Sequence, residues 1–190
     1  MSPFANAGHF LIATLFGLAI LVVLLRVWLQ AAGANFYNPL CQVLHRLTQP
    51  AIGPMRRLLP PLGPIETAGV LLAWLLALAK VAAIAALAGG LPPFAALAVW
   101  ALADLLSLLL WLAFWALLAG VLLSWFPVDN RNPAVPLVYQ MTRPLLAPFR
   151  RLLPDMPIDL SPMFAILAVQ LLRILLIEPL QQLAGRLALG

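Results

Sequence analysis

A chain of 190 residues that is 64% hydrophobic and only 9% charged has too few polar side chains to clothe a water-soluble domain, in which about a quarter of residues are charged. With a mean hydropathy of +1.04, it is expected to cross a membrane several times. A single cysteine, Cys41, excludes an internal disulfide and a thiol metal pair, and a net charge of +5 fits arginines facing an anionic leaflet better than it fits nucleic acid.

The first apolar run, residues 10–30, is long enough for a hydrocarbon core of about 30 Å. Ala32-Gly33-Ala34 has the small-residue pattern of a signal-peptidase site, but residues 1–9 carry no Lys or Arg, so the run is expected to be a retained span. Asn38-Pro39 then provides a cap and a proline suited to the first turn of a helix. Leu40, Val43, Leu44 and Leu47 form one apolar stripe, which predicts a short helix lying in the membrane interface. Thr48-x-Pro50 is expected to end that helix before Pro54-x-Arg56-Arg57-Leu58-Leu59-Pro60. The second span, residues 68–88, follows Glu66 and Thr67, which mark its start. Gly89-Gly90-Leu91-Pro92-Pro93 breaks it from the third, making the two antiparallel neighbours.

Residues 94–126 are too long for one upright span, so the third is expected to tilt or to cross from about Asp104 after an interfacial turn. Asn132-Pro133 opens a second short helix with Ala134, Leu137, Val138 and Met141 on one face, followed by Thr142-x-Pro144 and Pro148-x-Arg150-Arg151-Leu152-Leu153-Pro154. The fourth span runs over about residues 161–180, capped by Ser161 with Pro162 behind it and Asp159 adding negative charge, and Pro179 is expected to kink or end it.

Asn38, Pro39, Thr48, Pro50, Pro54, Arg56 and Arg57 recur 94 positions later as Asn132, Pro133, Thr142, Pro144, Pro148, Arg150 and Arg151. After one deletion, Glu66 aligns with Asp159 and Lys80 with Arg173. The expected fold is all-α, with four transmembrane helices in two tandem repeats, residues 1–93 and 94–190, each with an amphipathic hairpin between its spans. An even number of spans per unit makes the repeats parallel. Arg46, Arg56, Arg57, Arg131, Arg143, Arg150 and Arg151 fall on the hairpin side, against Arg186 on the other, so the hairpins are expected in the cytoplasm and both termini outside.

The arginine pairs have two readings. They hold the topology, or they stand at phosphate depth and bind anionic lipid or a partner. Lys80, Asp104 and Arg173 fall inside the predicted spans at similar depths. They either form a buried polar centre or divide, with the cations reaching outward and Asp104 in an interfacial turn. Ala79-x-x-x-Ala83 and Ala82-x-x-x-Ala86 have the spacing of close-packing helix faces. No catalytic motif or metal-ligand spacing occurs, and His9 and His45 lie far apart, so neither enzyme activity nor a cofactor or metal is expected.

RVWLQ at 26–30, FYNP at 36–39, TQPAIGPMRRLLPPLGPIE at 48–66, SWF at 124–126, TRPLLAPFRRLLP at 142–154 and IDLSPM at 158–163 resemble the YggT family of integral membrane proteins over nearly the whole chain. The second copy departs from the first in having Gly120 where the first has Arg26, and the first has Glu66-Thr67-Ala68 where the family prefers Asp-x-Ser. The resemblance implies a bacterial inner-membrane protein connected with osmotic stress and ion homeostasis. Other relatives are associated with cell division, or in plastids with cytochrome assembly and nucleoid organisation. The leading expectation is a non-enzymatic organiser or assembly factor that contacts membrane lipids, an unidentified protein partner or a second copy of itself. The alternative is a small oligomeric ion channel or channel regulator centred on Lys80, Asp104 and Arg173.

Overall fold

The computed structural model describes residues 3–35, 37–57, 59–125, 132–153 and 159–189. The predicted contributions of Leu58, Arg131 and Pro154 fall outside them. The elements in chain order are α1 (Pro3–Ala31), α2 (Pro39–Arg56), α3 (Thr67–Leu87), α4 (Phe94–Trp125), α5 (Ala134–Leu152), α6 (Ser161–Leu172), a π-helical turn (Arg173–Ile177) and α7 (Glu178–Leu189). Four helical stretches are long and apolar enough to cross a membrane: α1, α3, α4 and the continuous run Ser161–Leu189.

Three boundaries differ from expectation. The third span is one helix of 32 residues from Phe94, with Asp104 inside it rather than in a turn. The fourth continues past Pro179 to Leu189. The proline ring at 179 would collide with the carbonyl of Leu175 in a regular α-helix. The wider π turn directly before it opens the helix at that carbonyl, so the helix continues without stopping. The short helices also run through their Thr-x-Pro motifs, so α2 contains Pro50 and Pro54, and α5 contains Pro144 and Pro148. All four prolines lie on exposed faces. Thr48 Oγ1 donates to the Leu44 carbonyl at 2.7 Å and Thr142 Oγ1 to the Val138 carbonyl at 2.9 Å, which holds the turn before each first proline.

Both short helices start alike. Asn38 Oδ1 accepts from the Leu40 N–H at 2.9 Å, and Asn132 Oδ1 from the Ala134 N–H at 3.0 Å. Asn38 Nδ2 also donates to the Pro133 carbonyl at 2.7 Å, tying the start of α2 to that of α5. The predicted stripes then diverge. Leu40, Val43 and Leu47 are exposed, while Cys41, Thr48 and Ile52 form the inner face of α2. In α5, Leu137 and Met141 are buried, because this helix packs against both α4 and α1.

The spans pack in the order α1, α3, α4, then α6 with α7; α2 lies on α1 and α3, and α5 on α4 and α6. One core cluster joins Ile20, Val23, Leu24 and Val27 of α1 with Ala73 and Ala77 of α3 and Ala101, Leu105 and Leu112 of α4. A second joins Ala113 and Leu117 of α4 with Leu146, Ala165 and Val169. The close-packed small face of α3 is Gly69, Ala73 and Ala77 rather than the predicted alanine series, since Ala79 and Ala86 are exposed. A Cβ at Gly69 would sit 2.5 Å from Val27 Cγ2, so only glycine permits this approach of α1 and α3.

Candidate functional site

Near the end of α1, the Arg26 side chain turns inward beneath α2. It is only 5% exposed. Its Nη1 donates to Thr48 Oγ1 at 2.7 Å and to the His45 carbonyl at 3.4 Å, and its Nη2 to Gln49 Oε1 at 3.1 Å and Glu66 Oε1 at 3.2 Å. Nε lies 3.0 Å from Glu66 Oε2, an ionic contact without hydrogen-bond alignment. Glu66 is fully buried and also meets Arg56 Nε at 3.4 Å. The sequence places Glu66 as a charge at the start of the second span. Its side chain makes no helix cap and serves instead as the anion of this network. The helix start falls to Thr67, whose hydroxyl donates to the Pro60 carbonyl at 2.8 Å.

The second half places corresponding groups around a space. Arg150 Nη2 donates to Asp159 Oδ2 at 2.8 Å and its Nε to the same oxygen at 3.1 Å, as Arg56 meets Glu66. Asp159 Oδ1 accepts the Ser161 N–H at 2.9 Å, so Asp159 does the capping expected of Ser161. Hydrogen bonding from the Ser161 side chain foremost, joined by the Ser161 N–H and by Arg150, holds the Asp159 carboxyl below its ordinary range and outweighs the opposing effect of burial. Thr142 is buried. Where Arg26 would stand there is Gly120, whose Cβ position lies 3.5 Å from Thr142 Cγ2 and 3.7 Å from its hydroxyl oxygen. The result is a cavity of about 590 Å³, bordered by Gly120, Thr142, Arg150 and Asp159 and otherwise mainly apolar.

The arginine pairs therefore divide. Arg56 and Arg150 each clamp the acidic residue at the foot of the next span. Arg57 and Arg151 are exposed and form no ion pair among the described residues. Of the predicted polar centre, Lys80 and Asp104 do pair, with Nζ 2.8 and 2.9 Å from the two carboxylate oxygens. Arg173 does not join them. It donates to Gln170 Oε1 at 3.4 Å on its own helix. Cys41 is buried, which pushes its thiol pKa up and leaves it a small apolar side chain. Arg26 and Glu66 were the residues that sequence reasoning missed as partners. The signal for them was an arginine near the end of an apolar run with an acid ahead of the next.

These features define a helical membrane-spanning protein in which an arginine in the last turn of each short helix, Arg56 or Arg150, grips the acid preceding the following span. The CCB3/YggT family profile matches residues 5–87 and again residues 99–180. The chain belongs to that family. It is 42% identical to an uncharacterised protein of Pseudomonas aeruginosa over 95% of this chain and 93% of the relative. It is 39% identical to the uncharacterised protein YggT of Escherichia coli K12 over 97% of both chains. A protein encoded in the proC 3′ region of Vibrio alginolyticus is 40% identical over 87% of this chain and 90% of its own. No solved structure matches.

Proposed function

We propose that this protein is a non-enzymatic organiser or assembly factor of the bacterial inner membrane, with α2 and α5 at the cytoplasmic face and both termini outside. The observation that carries the reading is the pair of exposed guanidinium groups, Arg57 and Arg151, which form no ion pair among the described residues and stand beside exposed leucines, Leu59 and Leu152 respectively. The α2 row Leu40, Val43 and Leu47 is exposed as well, so each half offers apolar and cationic side chains to its surroundings. Such a surface suits anionic headgroups or an acidic partner helix at the membrane boundary. The link to ion homeostasis under osmotic stress comes from the family resemblance. An ion pathway through one monomer has less in its favour, because Arg26, Glu66, Lys80 and Asp104 are engaged with one another in two pairs and Arg173 turns to Gln170 on its own helix.

The test substitutes Arg57→Ala with Arg151→Ala in the full chain and measures crosslinking to lipid and protein in native membranes, alongside potassium flux in proteoliposomes. The organiser reading expects crosslinks that the double substitution removes, and no flux above empty vesicles. Flux that Lys80→Ala or Asp104→Ala alters would replace it with the channel reading.

A further inference from the structure

We propose that the cavity between α4, α5 and α6 binds an organic cation, a guanidinium or primary ammonium group on an apolar chain, in the place that Arg26 fills in the first half. This goes beyond the organiser reading and does not rest on it.

The first half shows what such a place holds. Arg26 lies between a threonine hydroxyl on α2 and the carboxylate before α3, and a second arginine, Arg56, meets the same carboxylate. In the second half the threonine, the carboxylate and the second arginine are all present as Thr142, Asp159 and Arg150. The inner guanidinium is missing and Gly120 opens its path, while the Gln49 acceptor is replaced at the same offset by Arg143, which is exposed. The Thr142 hydroxyl donates to the Val138 carbonyl, which leaves its lone pairs free to accept, as Thr48 accepts from Arg26. Glu66 faces two guanidinium groups, whereas Asp159 faces one. The N-terminus of α6 beside Asp159 would by itself repel a cation. The start of α3 holds Arg26 all the same through the Glu66 carboxylate, and at α6 the Asp159 carboxylate also accepts the Ser161 N–H, which offsets the charge of that helix end.

The cavity also sets the shape of the ligand. A volume of about 590 Å³ is in the range of sites for whole small molecules and far exceeds a guanidinium group. Beyond the polar end the walls are Leu117, Val121, Met163, Ile166 and Leu167, so the body of the ligand is apolar. Trp125 and Tyr139 add aromatic faces that favour a cation over a neutral head. Because Thr142 and Asp159 offer oxygens, the head must carry N–H donors, and a quaternary ammonium lacks them.

The test uses purified full-length protein and reads thermal unfolding against increasing hexylguanidinium, with hexyltrimethylammonium as the matched cation without N–H. The expected result is a saturable stabilisation by hexylguanidinium alone. Apparent affinity falls by roughly tenfold or more in Asp159→Asn, the loss of about one charge-assisted contact. Gly120→Arg, which brings its own guanidinium, removes the response. Should that variant fail to fold, Gly120→Met blocks the cavity without a charge. No saturable shift in the wild type, or a shift kept by the blocked variant, overturns the proposal. Two sources share this chemistry, and nanodiscs separate them. Greater stability in phosphatidylethanolamine than in phosphatidylcholine, erased by the block, assigns the cation to a membrane aminophospholipid. Equal stability in the two lipids, together with the hexylguanidinium response, assigns it to a dissolved amphiphile.

Discussion

Replacing Arg26 with alanine removes the only cation that is itself buried beside the fully buried Glu66. What remains for that carboxylate is Arg56, at 3.4 Å and 41% exposed. Thr48 Oγ1 and Gln49 Oε1 lose their donor as well. Breaking a buried pair from one side costs about 3–5 kcal/mol, because the surviving charge stays desolvated. Arg56 offsets part of that, so about 3 kcal/mol is expected for Arg26→Ala. Replacing both partners, as in Arg26→Met with Glu66→Gln, is expected to restore most of the loss, since no bare charge is left behind. The assay is unfolding in detergent monitored by tryptophan fluorescence, run as a double-mutant cycle with Arg26→Ala, Glu66→Gln and the pair. A loss below about 1 kcal/mol, the value of an exposed ion pair, or no coupling between the two sites, would refute the reasoning.

Gly69→Ala is expected to destabilise by about 1–3 kcal/mol through overpacking, because the new methyl meets Val27 Cγ2 at 2.5 Å. Restoration by Val27→Ala in the same denaturation assay would locate the clash. Asp104→Ala is expected to cost more than joint replacement of Lys80 and Asp104 by apolar residues, since a lone cation within a span costs about 2.5–3.5 kcal/mol; insertion yield and unfolding together measure it. The lowered pKa of Asp159 stabilises the folded state above the ordinary aspartate value of about 3.9 and ceases to do so as pH falls through the lowered one. The stability difference between wild type and Asp159→Asn should therefore be flat near neutrality and shrink in acid, and a difference that grows in acid would reverse the sign.

The four spans were legible because hydrophobic length alone decides them: each spanning helix coincides with a long apolar run of the sequence. The starts of α2 and α5 were legible too, since an asparagine before a proline caps through its own side chain and needs no distant partner. Helix ends were less so. Proline forbids one hydrogen bond, and whether the chain stops or bends depends on what can relieve the orphaned carbonyl. The π turn before Pro179 and the exposed faces of Pro50 and Pro144 provide that relief, and none of it is encoded locally. The division of the arginine pairs was likewise undecidable from spacing. Arg56 and Arg57 are chemically identical neighbours, and only the packing of α2 against α1 and α3 sets one beside Glu66 and leaves the other outside. Where the chain can enter a membrane follows from its apolar runs, because burial of apolar length is a property of the segment. Which charges meet inside was decided by tertiary structure. Arg26 finds Glu66 forty positions away through helix packing, and the Gly120 that replaces it becomes a cavity only when α4, α5 and α6 close around it.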